Sequence, residues 1–221
     1  MAVNKEAYKE LHHFLSEKNT ILIAVSKTKP VSDILELYEL GQRDFGENYV
    51  QEITEKQPLL PQDIRWHFIG HLQTNKVKYI APFVYMIHGI DSLKLLKEVN
   101  KQALKLDRII PVLLQVHIAK EETKFGLDEN ELKEILQHAG ELKNIAVKGL
   151  MGMASFTSNE AEVRTEFSYL NSLYHKINTD LTNHDSPLTT LSMGMSGDYK
   201  MAIAEGSNMV RIGSLLFGTR S

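Results

Sequence analysis

Residues 21–33 read ILIAVSKTKPVSD: an apolar run ends on Ser26 and Lys27, and Pro30 follows three residues later. A lysine at such a place can reach solvent through its long stem. Turned into a concave site instead, with desolvation and nearby cations around it, it favours the neutral amine. That is the form that condenses with an aldehyde to a Schiff base. Lys29 is the rival amine, but it lies beyond the run and directly before Pro30, which predicts an exposed side chain. Near the C-terminus, SMGMSGDY (192–199) and RIGS (211–214) put small residues and hydroxyls where a strand should meet a helix. Backbone N–H groups left open there suit an anion, so Ser196, Gly213 and Ser214 are candidate phosphate-holding residues. Ordinary turn chemistry explains either segment alone; their occurrence together favours phosphate.

Such groups need elements to carry them. Strand-like runs recur at 21–27, 43–48, 66–70, 84–90, 109–118, 145–154, 188–195 and 209–218. Helical patterns occupy 31–41, 48–57, 73–80, 92–105, 128–139, 159–179 and 197–205, with Ser92 placed to cap the fourth. Most runs are apolar on both faces, as strands buried on two sides must be. The pattern predicts an α/β protein: one (β/α)8 TIM barrel spanning 1–221, with an extra N-terminal helix before the first strand. An open doubly wound sheet would need a glycine-rich loop after an early strand, and SKTKP is not one. In a barrel the ligand site lies at the C-terminal ends of the strands. The polar residues predicted there include Lys27, Asn48, His67, His71, His88, Lys124 and Arg211.

Composition narrows the chemistry. The chain has 221 residues, 43% of them hydrophobic, and a formal charge of −3, so no basic field points to nucleic acid or to an anionic membrane. It has no cysteine, which excludes disulfides, thiolate metal sites and a cysteine nucleophile. The N-terminal stretch is polar and helical in pattern, and no apolar run approaches the roughly 20 residues that span a bilayer, so a cytoplasmic protein is expected. His67 and His71 are four apart, a helical metal spacing, yet they fall on a strand end and a loop with no carboxylate at ligand spacing; no metal site is expected.

A Schiff-base lysine facing a phosphate cradle leaves two ligand classes: a phosphorylated sugar, as in a class I aldolase, or pyridoxal 5′-phosphate (PLP). Five segments separate them. AVSKTKP (24–30), GQRDFGENYVQE (41–52), WHFIGHLQTNK (66–76), LSMGMSGD (191–198) and MVRIGSLLFG (209–218) together resemble the pyridoxal phosphate homeostasis protein family, itself similar to the N-terminal barrel of alanine racemase. The resemblance covers the chain from about residue 20 to its end. It implies the type III PLP fold, with Lys27 forming the internal aldimine. It also implies that Ser196 and the backbone at Gly213 and Ser214 hold the phosphate, that Arg211 faces the pyridine nitrogen, and that Asn48 lies close to the cofactor. A guanidinium there donates and leaves the ring nitrogen unprotonated, which makes the ring a poorer electron sink.

The departures from the racemase matter too. Thr28, Lys29 and Pro30 follow the lysine where the racemase has a tyrosine- and glycine-containing motif, and the chain ends seven residues after Ser214, without the racemase's β-rich second domain. The expected function is therefore a monomeric PLP-binding protein that buffers or delivers the cofactor to acceptor apoenzymes without turnover. An amino-acid racemase lacking the second domain is the alternative, with a barrel histidine replacing the catalytic tyrosine that the racemase's second domain supplies. Lys124 or Lys200 is a candidate landing site for cofactor on its way out.

Overall fold

The computed structural model describes residues 3–121, 125–180 and 187–218. Eight strands, β1 (Ile21–Val25), β2 (Asp44–Glu47), β3 (Arg65–Phe68), β4 (Met86–Ile90), β5 (Ile110–Gln115), β6 (Ile145–Met151), β7 (Thr190–Ser192) and β8 (Met209–Ile212), pair in chain order and close into a barrel. Every pairing is parallel, including β1 with β8. The (β/α)8 expectation holds.

Helices follow the strands: α2 (Val31–Glu39), α3 (Val50–Lys56), α4 (Val77–Ile80), α5 (Leu93–Lys105), α6 (Glu129–Ala139), α7 (Glu160–Asp180), α8 (Tyr199–Ala204) and α9 (Ser214–Phe217). The expected extra helix, α1 (Lys5–Glu17), starts at an Asn4 cap and buries Tyr8, Leu11 and Leu15. Asn4 N–H donates to the Leu216 carbonyl at 2.8 Å, which ties the N-terminus to α9. Ser92 caps α5 as its position predicts, its Oγ accepting from Leu95 N–H. Asp128 and Glu131 form a reciprocal capping box at the start of α6. Among the described residues no helix is long and apolar enough to cross a membrane.

The last run, 209–218, is two elements rather than one strand. β8 stops at Ile212, Gly213 turns the chain, and Ser214 opens α9. Apolar side chains continue through both, so the strand-to-helix switch leaves no trace in hydrophobicity alone.

Alternation along the strands sorts side chains into two compartments. Leu22, Ala24, Phe45, Phe68 and Ile87 face the helices and join the large outer core. Ile23, Met86, Leu113, Met151 and Met209 point inward and plug the barrel's centre. The register puts Ile23 beside Arg211, Val25 beside Gly46 and Gly46 beside His67, so the inward positions also carry an arginine and a histidine. An apolar plug with polar residues above and below it is the frame for the site.

Candidate functional site

Beyond Val25 the chain stays in register for one more residue, Ser26 N–H donating to the Gly46 carbonyl at 3.0 Å. It then turns, and Lys29 N–H donates back to the Ser26 carbonyl at 3.0 Å. Lys27 occupies the turn at the mouth of the barrel and is half-buried. Its side chain lines a cavity of about 450 Å3 whose wall also includes Asn48, Met153, Ser196, Arg211, Gly213 and Ser214. All six residues proposed from the sequence thus meet around one cavity, although they lie up to 187 positions apart in the chain, from Lys27 to Ser214.

Each is positioned by a local cause. Ser196, in the loop after β7, accepts from Gly213 N–H at 3.2 Å and joins the loops of the last two strands into one wall. Arg211 points inward from β8 and is 4% exposed. Its guanidinium donates to the Ser192 carbonyl (3.0 Å), the Ser192 hydroxyl (2.6 Å) and the Gly152 carbonyl (3.0 Å). Burial pulls this guanidinium down to about 10, with Asp198 opposing the change, so it stays cationic at neutral pH. Asn48 is fixed by a close approach: a Cβ on Gly70 would lie 2.2 Å from the Asn48 carbonyl oxygen, so only glycine fits after β3. Asn48 Oδ1 is buried without a hydrogen-bond partner among the described residues. A buried orphan acceptor is costly unless something else satisfies it.

Lys29 departs from expectation. It is half-buried rather than exposed, lines the same cavity, and donates from Nζ to the Phe217 carbonyl at 2.8 Å. The α9 turn leaves carbonyls open at its end, and the lysine stem spans the gap to them. Lys200, by contrast, is exposed on α8 over the rings of Phe14 and Tyr199, away from the cavity. Lys124 lies outside the described residues.

The histidines also differ from their expected places. His67 is inside the barrel within β3, 1% exposed, not at the strand's open end. Its Nε2 faces Asp44 Oδ1 at 3.0 Å and its Nδ1 faces His88 Nε2 at 2.9 Å. Burial holds both imidazoles below their ordinary value, His88 well below, and in His67 this outweighs the upward pull of Asp44. Both rings are therefore neutral at pH 7, and the carboxylate assigns the tautomers: His67 Nε2–H donates to Asp44, and His88 Nε2–H donates to His67. His71 lies past the strand, hydrogen-bonded through Nδ1 to Asp91 at 2.9 Å and stacked on Phe125 with centroids 4.1 Å apart. The two histidines do not meet, and among the described residues no three metal-ligating side chains gather.

Sequence reasoning passed over a third group. Behind Lys27, on the outer face of β2, Lys56 Nζ donates to Glu47 Oε1 (2.8 Å), to Glu52 Oε2 (2.8 Å) and to the Ser26 carbonyl (3.0 Å). A usable signal existed: a glutamate inside a buried strand needs a cation, and the helix that follows carries one.

Among the described residues the cavity wall therefore presents three cations, Lys27, Lys29 and Arg211, and no carboxylate, histidine or tyrosine. An amine for an aldehyde, a charged donor at the floor, joined loops for an anion and an orphan amide oxygen fit an anionic aromatic aldehyde. A larger depression of about 780 Å3 lies beside it between α3 and α4; it shares only Asn48 with the cavity.

Comparison with known proteins agrees with this geometry. A family model described as "Alanine racemase, N-terminal domain" matches residues 5–221. The chain is 42% identical over 200 residues to the pyridoxal phosphate homeostasis protein of Aquifex aeolicus, covering 90% of this chain and 86% of that one. PipY of Synechococcus elongatus, solved without PLP, superposes with a TM-score of 0.91 at 35% identity, covering 96% of this chain and 99% of that one. The same PipY with PLP bound gives a TM-score of 0.86 at 35% identity, covering 96% and 100%.

Proposed function

The chain belongs to the pyridoxal phosphate homeostasis protein family, within the alanine racemase N-terminal domain, and from this membership we propose that it binds PLP and buffers or delivers it without turnover. PLP supplies an aldehyde for a lysine amine; of the two lysines on the cavity wall, Lys29 donates to the Phe217 carbonyl, and Lys27 is the amine assigned to the aldehyde. Nζ bonds to the aldehyde carbon and the aldehyde oxygen leaves as water, so loading needs no co-reactant and reverses by hydrolysis. Ser196 and the Gly213–Ser214 backbone hold the phosphate. Arg211 donates to the ring nitrogen, and Asn48 Oδ1 takes a donor from the ligand or its water. Holding the ring nitrogen with a guanidinium keeps it unprotonated, which suppresses carbanion chemistry on the bound molecule.

The observation that carries the non-catalytic reading is the composition of the cavity wall. Racemisation needs an acid and a base on opposite faces of the reacting carbon. Among the described residues the wall offers, besides Lys27, only Lys29 and Arg211 as ionisable groups. Lys29 is engaged with the Phe217 carbonyl, and Arg211 stays charged at neutral pH. The barrel histidines that would replace a tyrosine do not line this wall. Release to an acceptor apoenzyme then follows hydrolysis at Lys27, with Lys29 the second cation on the path in place of Lys200.

The experiment is direct. Protein incubated with PLP turns yellow, borohydride bleaches it, and peptide mapping finds the reduced adduct on Lys27. Lys27→Ala stays colourless and transfers no cofactor to an apoenzyme. Protein that remains colourless after incubation, or that racemises single-enantiomer alanine faster than free PLP does, refutes the proposal.

A further inference from the structure

The turn that presents Lys27 has a shape its sequence does not favour. The Lys29 N–H to Ser26 carbonyl bond closes four residues, with Thr28 in the third place at φ +63°. Turns of this shape prefer glycine or asparagine there, because a Cβ crowds the backbone. A β-branched residue in that region persists only where the surroundings over-determine it. Here the surroundings are explicit. Thr28 N–H donates to Glu52 Oε2 at 2.7 Å, Ser26 Oγ donates to Glu47 Oε1 at 2.7 Å, and Lys56 Nζ holds the Ser26 carbonyl at 3.0 Å while bridging both carboxylates.

The bridge is built below the surface. Glu47 is fully buried and the Lys56 side chain is 10% exposed. Burial pushes Glu47 up from its ordinary value against the pull of Lys56 and Ser26. Two carboxylates on one cation are a costly way to join a helix to a strand, since buried ion pairs seldom out-stabilise apolar packing. None of Ser26, Glu47, Glu52 or Lys56 lines the Lys27 cavity. What the group does reach is the backbone on both sides of Lys27.

We propose that Glu47, Glu52 and Lys56 are positioning residues that clamp the strained Ser26–Lys29 turn and thereby aim Lys27 Nζ for attack on an aldehyde carbon. The inference rests on the reading of Lys27 given above. The step it serves forms one carbon–nitrogen double bond; the amine's two hydrogens leave with the aldehyde oxygen as water.

Three variants test it: Glu52→Ala, which removes the acceptor of Thr28 N–H; Glu52→Gln, which restores an acceptor of equal reach; and Thr28→Gly in the Glu52→Ala background. Each is incubated with PLP and quenched with borohydride at intervals. Intact mass and peptide mapping then give the rate of Lys27 labelling, and the melting temperature of unloaded protein is read in parallel. Glu52→Ala labels about tenfold more slowly, equivalent to about 1.4 kcal/mol of lost alignment. Glu52→Gln recovers most of that loss. Thr28→Gly recovers at least threefold, because glycine takes the positive φ without being held there. A labelling rate unchanged in Glu52→Ala overturns the proposal, whatever happens to the melting temperature. So does a slowed rate that neither the Glu52→Gln acceptor nor the Thr28→Gly exchange relieves, since a purely structural bridge gives that result. Should Glu52→Ala not fold, Glu52→Ser carries the same comparison. Lys27→Ala runs alongside: label that persists in it removes the premise about Lys27, whereas label lost in it but insensitive to Glu52 removes only the clamp.

Discussion

Replacing Arg211 with methionine separates what this residue does for the fold from what it does for a ligand. Burial lowers the guanidinium from its ordinary value to about 10. A basic group whose folded value is lowered costs the fold stability at every pH below that value. At roughly 1.4 kcal/mol per pH unit, the cost at neutral pH is about 3 kcal/mol. Arg211→Met removes that cost. Against it stand the acceptors left behind: the Gly152 carbonyl and the Ser192 hydroxyl lose their charged donor, at about 1–2 kcal/mol each. The Ser192 carbonyl keeps Gly152 N–H at 3.1 Å. These opposing contributions nearly cancel, so unloaded Arg211→Met should stay within about 2 kcal/mol of the parent, a shift of less than about 8 °C in melting temperature for a chain of this size. The loaded protein behaves differently. Loss of a charged hydrogen bond to the ring nitrogen is worth about 1.5–3 kcal/mol, and PLP should bind about 10- to 150-fold more weakly. Differential scanning fluorimetry and an absorbance titration read the two quantities on the same samples. Unfolding of unloaded Arg211→Met refutes the stability balance, and unchanged PLP affinity in a folded variant refutes the assignment of Arg211 to the ligand.

Two further outcomes follow from the fold. His67 and His88 are buried and neutral, with folded values below 6.5, so their contribution to stability is complete above pH 6.5 and is lost as pH falls from there toward the folded values. Unfolding free energies from urea titrations at pH 7.5 and 5.5 should therefore differ by about 1–3 kcal/mol, lower at the acid end, with a smaller difference in His88→Gln; equal stabilities at the two pH values count against neutral histidines. Gly149→Ala should cost more than about 3 kcal/mol in the same assay, because its Cβ would stand 1.7 Å from the Thr190 carbonyl oxygen and force β6 from β7.

What was legible in the sequence, and what was not, divides by the range of the interactions involved. Among the described residues, the eight strands and eight of the nine α-helices announce themselves because burial on both faces writes apolar runs, and helices write their own period. Lys27 stands out because a charge after ILIAV breaks such a run. The misplacements share one cause. His67 reads as a strand-end residue, Lys29 reads as exposed, and Glu52 and Lys56 draw no reading at all, because each takes its meaning from a partner distant in sequence. Those partners are Asp44 and His88, the Phe217 carbonyl, and Glu47 with Ser26. Local pattern carries period and polarity; it carries no information about which face of a helix another strand will cover.

The barrel's ionisable groups are sorted by compartment, and the sorting bears on the proposal that the protein holds an aldehyde cofactor and gives it up. Among the described residues the carboxylates sit off the cavity wall: Glu47 and Glu52 behind β2, Asp44 at the N-terminal end below His67, and Asp91 with His71 on the rim. Cations gather inside it. An anion entering the cavity meets the three cations of its wall, with Asp198 the carboxylate near enough to Arg211 to act on it, so binding on the proposed reading leans on charge and on loop N–H groups. A carboxylate at the ring nitrogen would instead stabilise its protonated form and open carbanion chemistry, and a second proton carrier across from Lys27 would complete a catalytic pair. On the proposed reading, a wall without acids among the described residues leaves Lys27 one reversible reaction, condensation with the aldehyde and its hydrolysis, and the proposed clamp would tune how fast that single equilibrium is reached.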